Sequence, residues 1–188
     1  MINRKHSVSQ LLAFAIAVMA VSACTIGVSA PIRTPVPTVV PTATPTSLTL
    51  QVFLIALEDN GRAGKKIGCD DSVVPVVVMV PHTQDEPQAA LEALFSMGEF
   101  YGESGLYNAL YQSDLHVESV SVKDREATVN LTGQLVLGGV CDNPRVEAQI
   151  EETVRQSTGA IEVNVFINGT SLTDLLSGEG SRETRAIA

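Results

Sequence analysis

The chain contains no tryptophan and only 4% aromatic residues in 188, so any core must be built from aliphatic side chains. Basic residues are also scarce. Twelve Lys plus Arg stand against 21 Asp plus Glu, a formal charge of −9, and that field repels phosphate and disfavours nucleic acid as a partner. Charged residues of both signs make up 18% against 45% hydrophobic, which excludes a collagenous, coiled-coil or wholly disordered chain and allows one modest domain. Long apolar runs are missing everywhere except near the N-terminus. Nothing downstream has the roughly 20 apolar residues of a spanning helix.

That one run has a meaning of its own. Arg4, Lys5 and His6 precede an uncharged apolar stretch, Leu11 to Val21, about the length of a signal-peptide core. It ends in Val21-Ser22-Ala23-Cys24, which resembles the lipobox of bacterial lipoproteins. Small residues before Cys24 fit the narrow cleft of a signal peptidase, and the thiol is the group that a diacylglyceryl transferase alkylates. The expected organisation is a lipoprotein signal peptide over 1–23 and lipidation, with palmitate-type acyl chains, at Cys24. A plain secretory signal with a chance Cys, or an uncleaved helical tether, are the alternatives. Cleavage would remove Arg4 and Lys5 and no acid, taking the charge two units down from −9 to −11. Membrane association would then rest on acyl chains, each buried methylene contributing about 0.8 kcal/mol.

From residue 24 to 47 the chain is a Pro/Thr-rich linker holding Pro31, Pro35, Pro37, Pro41 and Pro45, five of the nine prolines. Proline fixes φ near the polyproline II value, so this spacer could hold a domain roughly 60 to 70 Å from a membrane. The globular pattern occupies 48–177, and 178–188 reads as a frayed tail.

Within the domain, Leu48 to Leu57 reads as a buried strand and Val73 to Val80 as a second, with Pro75 arguing for an edge position, a strand start or a bulge. Thr83-x-x-Glu86 has capping-box spacing before a helix over 86–97. Val117 to Val122 and Ala127 to Leu131 alternate around a turn at 123–126, a hairpin. Asn143-Pro144 reads as an N-cap with proline at the first helical position, opening a helix from Pro144 to Ser157 with Val146, Ile150 and Val154 on one face. Ile161, Val163, Val165 and Ile167 alternate into a final strand closed by Asn168-Gly169. The order gives an α+β fold: a mixed β-sheet with two helices on one face, two ββα units plus a final strand.

This succession resembles the GerMN domain, the sporulation and spore germination module. The residues that carry the resemblance are LTLQVFLIAL, CDDSVVPVVVMVP, PQAALEALF, VESVSVKDREATVNL, and most specifically PRVEAQIEETVRQSTGAIEVNVFINGTSL. A Gln149-Ile150-x-x-Thr153 helix there runs into an alternating strand and an Asn-Gly turn. In place of the family's leucine-rich segment after the first helix stand Phe95-Ser96-Met97-Gly98 and a tyrosine loop. The resemblance implies a non-catalytic extracytoplasmic domain of the cell envelope, similar in fold to ring-building motifs of secretion-type assemblies. It brings no catalytic or ligand residues, because the family has no established site motif.

Chemistry is thinly represented. With Cys24 acylated, Cys69 and Cys141 remain as an even pair in an oxidising compartment, and a disulfide is the economical reading, free thiols the alternative. A metal site would need His at ligand spacing, and neither His82 nor His116 provides it. Gly102-Glu103-Ser104-Gly105 lacks the spacing of a nucleophile elbow, and Gly133 to Gly139 lacks that of a phosphate loop. Neither catalytic residues, metal nor cofactor are expected. The acids Glu147, Glu151 and Glu152 read as the solvent side of the second helix. The candidate interaction surfaces are Glu147, Glu151 and Arg155 beside the last strand, and a loop carrying Tyr101, Tyr107 and Tyr111, whose rings offer large contact area at small entropy cost. Function is therefore expected to be binding of an unidentified envelope protein by a lipid-anchored extracytoplasmic domain, with weak self-association. The alternative is an envelope enzyme or ligand-binding protein acting on cell-wall material.

Overall fold

In the computed structural model the described residues are 47–82 and 85–178. The signal peptide, Cys24, the linker up to residue 46, Thr83 and the tail beyond Gly178 lie outside them. Among the described residues no helix is long and apolar enough to cross a membrane.

The β-branched runs at the start of the domain pair with each other. Strand β1 (Ser47–Ala56) lies antiparallel to β3 (Ser72–Pro81) over its whole length, and the two-residue β2 (Lys65–Lys66) touches β3 only at Ser72 and Val73. Alternation sends Leu50, Val52, Leu54, Val76 and Val80 into the main core. Ile55 and Val73 are buried on the opposite face, and Cys69–Asp70, both in the left-handed region, turn the intervening loop back toward β3.

Helix α1 (Glu86–Phe95) starts from Asp85, whose carboxylate accepts from the Gln88 amide at 3.1 Å. It ends two residues short of the expected Met97, and the carbonyls of Leu94 and Met97, on either side of that end, accept from the Asn108 side chain, at 3.3 and 3.0 Å. Strands β4 (Asp114–Lys123) and β5 (Glu126–Gln134) form the expected hairpin, turned by Asp124 and Arg125 at positive φ. At its far end Gly133 is obligatory, since at φ +110 an added Cβ would stand 1.8 Å from the Asp114 carbonyl oxygen.

Helix α2 (Asp142–Thr158) opens at Cys141, earlier than the Asn143-Pro144 signature indicated. Asn143 does not cap it. Its amide donates to the Leu176 carbonyl at 2.8 Å, tying down α3 (Leu172–Ser177), a short helix the apolar pattern had not suggested. Strand β6 (Glu162–Ile167) runs parallel to β5, and β7 (Thr170–Ser171) folds back on it through Asn168-Gly169, both at positive φ. Ile161, expected inside that strand, lies before it and is exposed.

The α+β class and the strand, strand, helix order hold, with β2 and α3 as additions. The single mixed sheet does not: strands β1-β3-β2 form one sheet and β4-β5-β6-β7 another, and α1 and α2 are shared between them, α1 against β1 and β4, α2 against β1 and β6. The separation has a local cause. The outward amide and carbonyl of Phe53, halfway along β1, are bonded by Thr153 Oγ1 at 3.1 Å and Gln149 Nε2 at 3.0 Å, and Ile55 exchanges two backbone bonds with Tyr107. No strand of the second sheet can pair where side chains already do.

The same parity explains Pro75. Residues 53 and 55 point away from β3, so their partners Pro75 and Val73 point away from β1. Pro75 thus faces the side of β3 that β2 no longer reaches, where no donor is required.

Candidate functional site

The loop between α1 and β4 is held more firmly than its polar sequence suggests. Asn108 N donates to Glu99 O and Tyr101 N to Leu106 O, which folds 99–108 into a narrow excursion. Its base is a buried polar knot. Asn108 Nδ2 serves the end of α1, while Asn108 Oδ1 accepts from Leu110 N and from Gln149 Nε2, both at 3.1 Å. Gln149 Oε1 in turn accepts from Ala109 N at 2.9 Å. Asn108, Gln149 and Thr153 are fully buried, and every bond replaces one lost to water, the condition under which buried polar groups are tolerated.

The three tyrosines divide on this base. Tyr107 and Tyr111 are half-buried, in an edge-on ring contact at 6.1 Å, with the Arg145 guanidinium 5.5 Å from the Tyr107 ring centre. Burial, reinforced by the Asp142 carboxylate, pushes the Tyr107 phenol up, so it stays protonated. Tyr101 faces outward beside Phe100, its hydroxyl donating to the Val77 carbonyl at 3.4 Å. Phe100 is 52% exposed, Tyr101 38%, and on the adjoining strand Val77 is 57% and Met79 75% exposed. Linked through the Tyr101–Val77 bond, these form an exposed apolar surface.

Cys69 and Cys141 are joined in the structure, their Cα atoms 5.8 Å apart. Next to the bridge Arg145 reaches the buried Asp71 at 2.6 Å and Asp142 at 3.1 Å. The remaining oxygens accept from Glu58 N and Gly138 N. Burial works against the Arg145 charge, but its hydrogen bonds to Asp71 and Asp142 outweigh that and hold its pKa above the ordinary value. The triad is a brace between the loop after β1 and the first turn of α2.

Glu147, Glu151 and Arg155 do share a face of α2, but that face is half-buried where the sequence had suggested a freely solvated one. Arg155 is divided between Glu152 at 2.7 Å and Glu151 at 3.3 Å, and Lys65 approaches Glu152 at 2.6 Å. Burial and the neighbouring Glu147 charge push Glu151 up. Burial acts the same way on Glu152, yet its bonds to Lys65 and Arg155 prevail and hold it down. Glu147 and Glu151 border an open groove of about 260 Å³ against Lys65, Ile67 and Pro144. A second groove, about 380 Å³, runs between Val80-His82 and α1. Among the described residues no group of His, Cys, Asp and Glu converges as a metal site.

Sequence reasoning missed the parts that position the loop: Asn108 and the Asp71–Arg145 pair outright, with Gln149 and Thr153 quoted only as part of a pattern. A signal was present. Val146, Gln149, Ile150, Thr153 and Val154 follow one helical stripe, so two polar residues sit where periodicity demands burial. Val77 and Met79 went unnoticed because a continuous apolar run does not tell its inner residues from its outer ones.

Residues 56–173 match the family model described as Germane, sporulation and spore germination. No curated protein sequence matches the chain. Among solved structures the chain is similar to the tandem GerMN domains of the sporulation protein GerM from Bacillus subtilis, with 18% identity over 71% of this chain and 44% of that one, at a TM-score of 0.49. The first GerMN domain of the same protein gives 18% identity over 66% and 85%, with a TM-score of 0.48. A candidate lipoprotein from Clostridium perfringens gives 18% over 69% and 82%, with a TM-score of 0.35. The chain thus spans less than half of the tandem-domain structure.

Proposed function

The chain belongs to the family of sporulation and spore germination (Germane, GerMN) domains, and from that premise we propose that it is a lipid-anchored, extracytoplasmic envelope protein whose domain works by docking to another envelope protein and not by turnover. The observation that carries this reading is the 99–108 excursion. It presents Phe100 and Tyr101 outward from a base fixed by Asn108 and Gln149, and exposed rings on a preorganised support bind without a large ordering cost. Arg145, over the Tyr107 ring at the base of the excursion, is committed to bracing Asp71 and Asp142. The anchor is Cys24, and the linker provides reach from the membrane.

Photo-cross-linking from position 101 in cells should capture one defined envelope protein, with recovery falling at least tenfold in Phe100→Ser and an unchanged circular dichroism melt. Charge reversals at Glu147, Glu151 and Arg155 test the α2 face in parallel. Recovery unaffected by both sets would overturn the docking reading. Cys24→Ala should abolish labelling by a palmitate analogue, and a labelled variant would refute the anchor.

A further inference from the structure

We propose that the open edge of β3 is a pairing site for β3 of a second copy of this chain, in an antiparallel two-fold contact centred on Val78. Among the described residues no strand pairs with β3 beyond Val73 on the side away from β1. By the parity set at Phe53 and Ile55, the residues whose backbone groups face that side are Pro75, Val77, Met79 and Pro81. Their donors read none, one, one, none, a pattern symmetric about Val78.

A second β3 related by a two-fold axis at Val78 sets Val77 opposite Met79 of the other copy, and the reverse. Each of these pairs exchanges two N–H to O bonds. The next pair outward is Pro75 against Pro81 at both ends, where neither strand has a donor to offer and the ladder stops. The same prolines that blunt the edge against indefinite strand addition therefore define a short closed window, and a two-fold contact consumes the edge it uses. Charge permits the approach, because Ser72 to Pro81 holds no ionisable side chain in a chain of net charge −9. The outward side chains of Val77 and Met79, already exposed, cover each other across the new pair. The Val77 carbonyl keeps a second lone pair beside its long bond to the Tyr101 hydroxyl.

The window is two residues long, far short of a standard interface of about 1,200 Å² or more, so the contact is reversible and gains from confinement of both chains to one surface. It goes beyond the docking reading: that one is tested by Phe100→Ser and capture of an envelope protein, this one by a disulfide between two copies, so the two can fail separately even though Tyr101 touches Val77.

The test uses the full chain in cells. Co-production of a Val77→Cys chain and a Met79→Cys chain should give, under mild oxidation, at least fivefold more disulfide-linked dimer than either variant alone, because only the mixed pair places the two positions directly opposite. Met79→Lys in the Val77→Cys member should reduce that yield about tenfold while leaving the thermal melt unchanged. Equal yields from single and mixed variants, or no linked dimer from chains with native melts, would overturn the proposal.

Discussion

The two long edges of the first sheet have opposite fates. Along β1 the outward backbone groups of Phe53 and Ile55 are closed by Thr153, Gln149 and Tyr107, so helix side chains and a loop stand where a strand would pair. Along β3 the corresponding groups from Pro75 to Pro81 have no strand beside them among the described residues, and proline at two of four positions limits what can be added. The difference teaches that a sheet edge can be ended either by satisfying its donors or by deleting them. Only the first method ties the sheet to the rest of the domain, and only the second leaves a surface on which another chain can act.

The comparison can be broken most strongly at the closed edge. The Cys69–Cys141 bridge holds the loop after β1 to the start of α2 across 72 residues, and Cys69→Ser with Cys141→Ser should lower stability by about 4 kcal/mol in the chain-entropy picture. Urea unfolding of the pair against the oxidised parent measures it. Loss well under 1 kcal/mol would mean that the Asp71–Arg145 brace alone positions α2. Next, Gln149→Leu removes bonds to Phe53 O, Ala109 N and Asn108 Oδ1 in a fully buried place, and the orphaned groups should cost about 3 kcal/mol. Thr153→Val, which orphans only the Phe53 amide, should cost about 1 kcal/mol by the same equilibrium measurement.

The smallest effect separates two adjacent acids. Glu151 has a raised pKa in the fold, so its ionisation above that pKa costs stability, and the cost is relieved as pH falls through it. Glu152 has a lowered pKa, so it contributes stability above its unfolded value and loses it as pH falls through the folded one. At neutral pH Glu151→Gln should therefore stabilise and Glu152→Gln destabilise, each by about 0.5 kcal/mol or less on a solvent-screened face. Both differences should vanish in acid, below the carboxylate range. Equal signs at neutral pH would show that the Lys65 and Arg155 contacts do not distinguish them.

The contrast between the edges also marks what was legible in the sequence. Local signals survived: the alternation of Val129 and Leu131, the Asn168-Gly169 turn and the stripe of Val146, Ile150 and Val154 all lie in the elements they indicated. Even the doubt about Pro75 led toward an edge. Illegible were the pairings between distant residues. Nothing near Phe53 in the chain indicates that Gln149 and Thr153, about a hundred residues away, will take its amide and carbonyl, and without that the strands merge into one sheet on paper. The candidate surfaces fared similarly. The tyrosine loop was visible by composition, yet which rings face outward depends on Asn108 bonding to the end of α1. The acids of α2 looked solvated because Lys65, from the first sheet, is invisible to a helical wheel.

Amide hydrogen exchange on the dilute, monomeric chain addresses the two edges together. The Phe53 and Ile55 amides should exchange only through near-global unfolding, and the Val77 and Met79 amides on the order of a thousandfold faster, slowing as chain concentration rises. Val77 and Met79 as protected as Phe53 in dilute solution, or Phe53 exchanging as freely as they do, would contradict the account of one closed and one open edge.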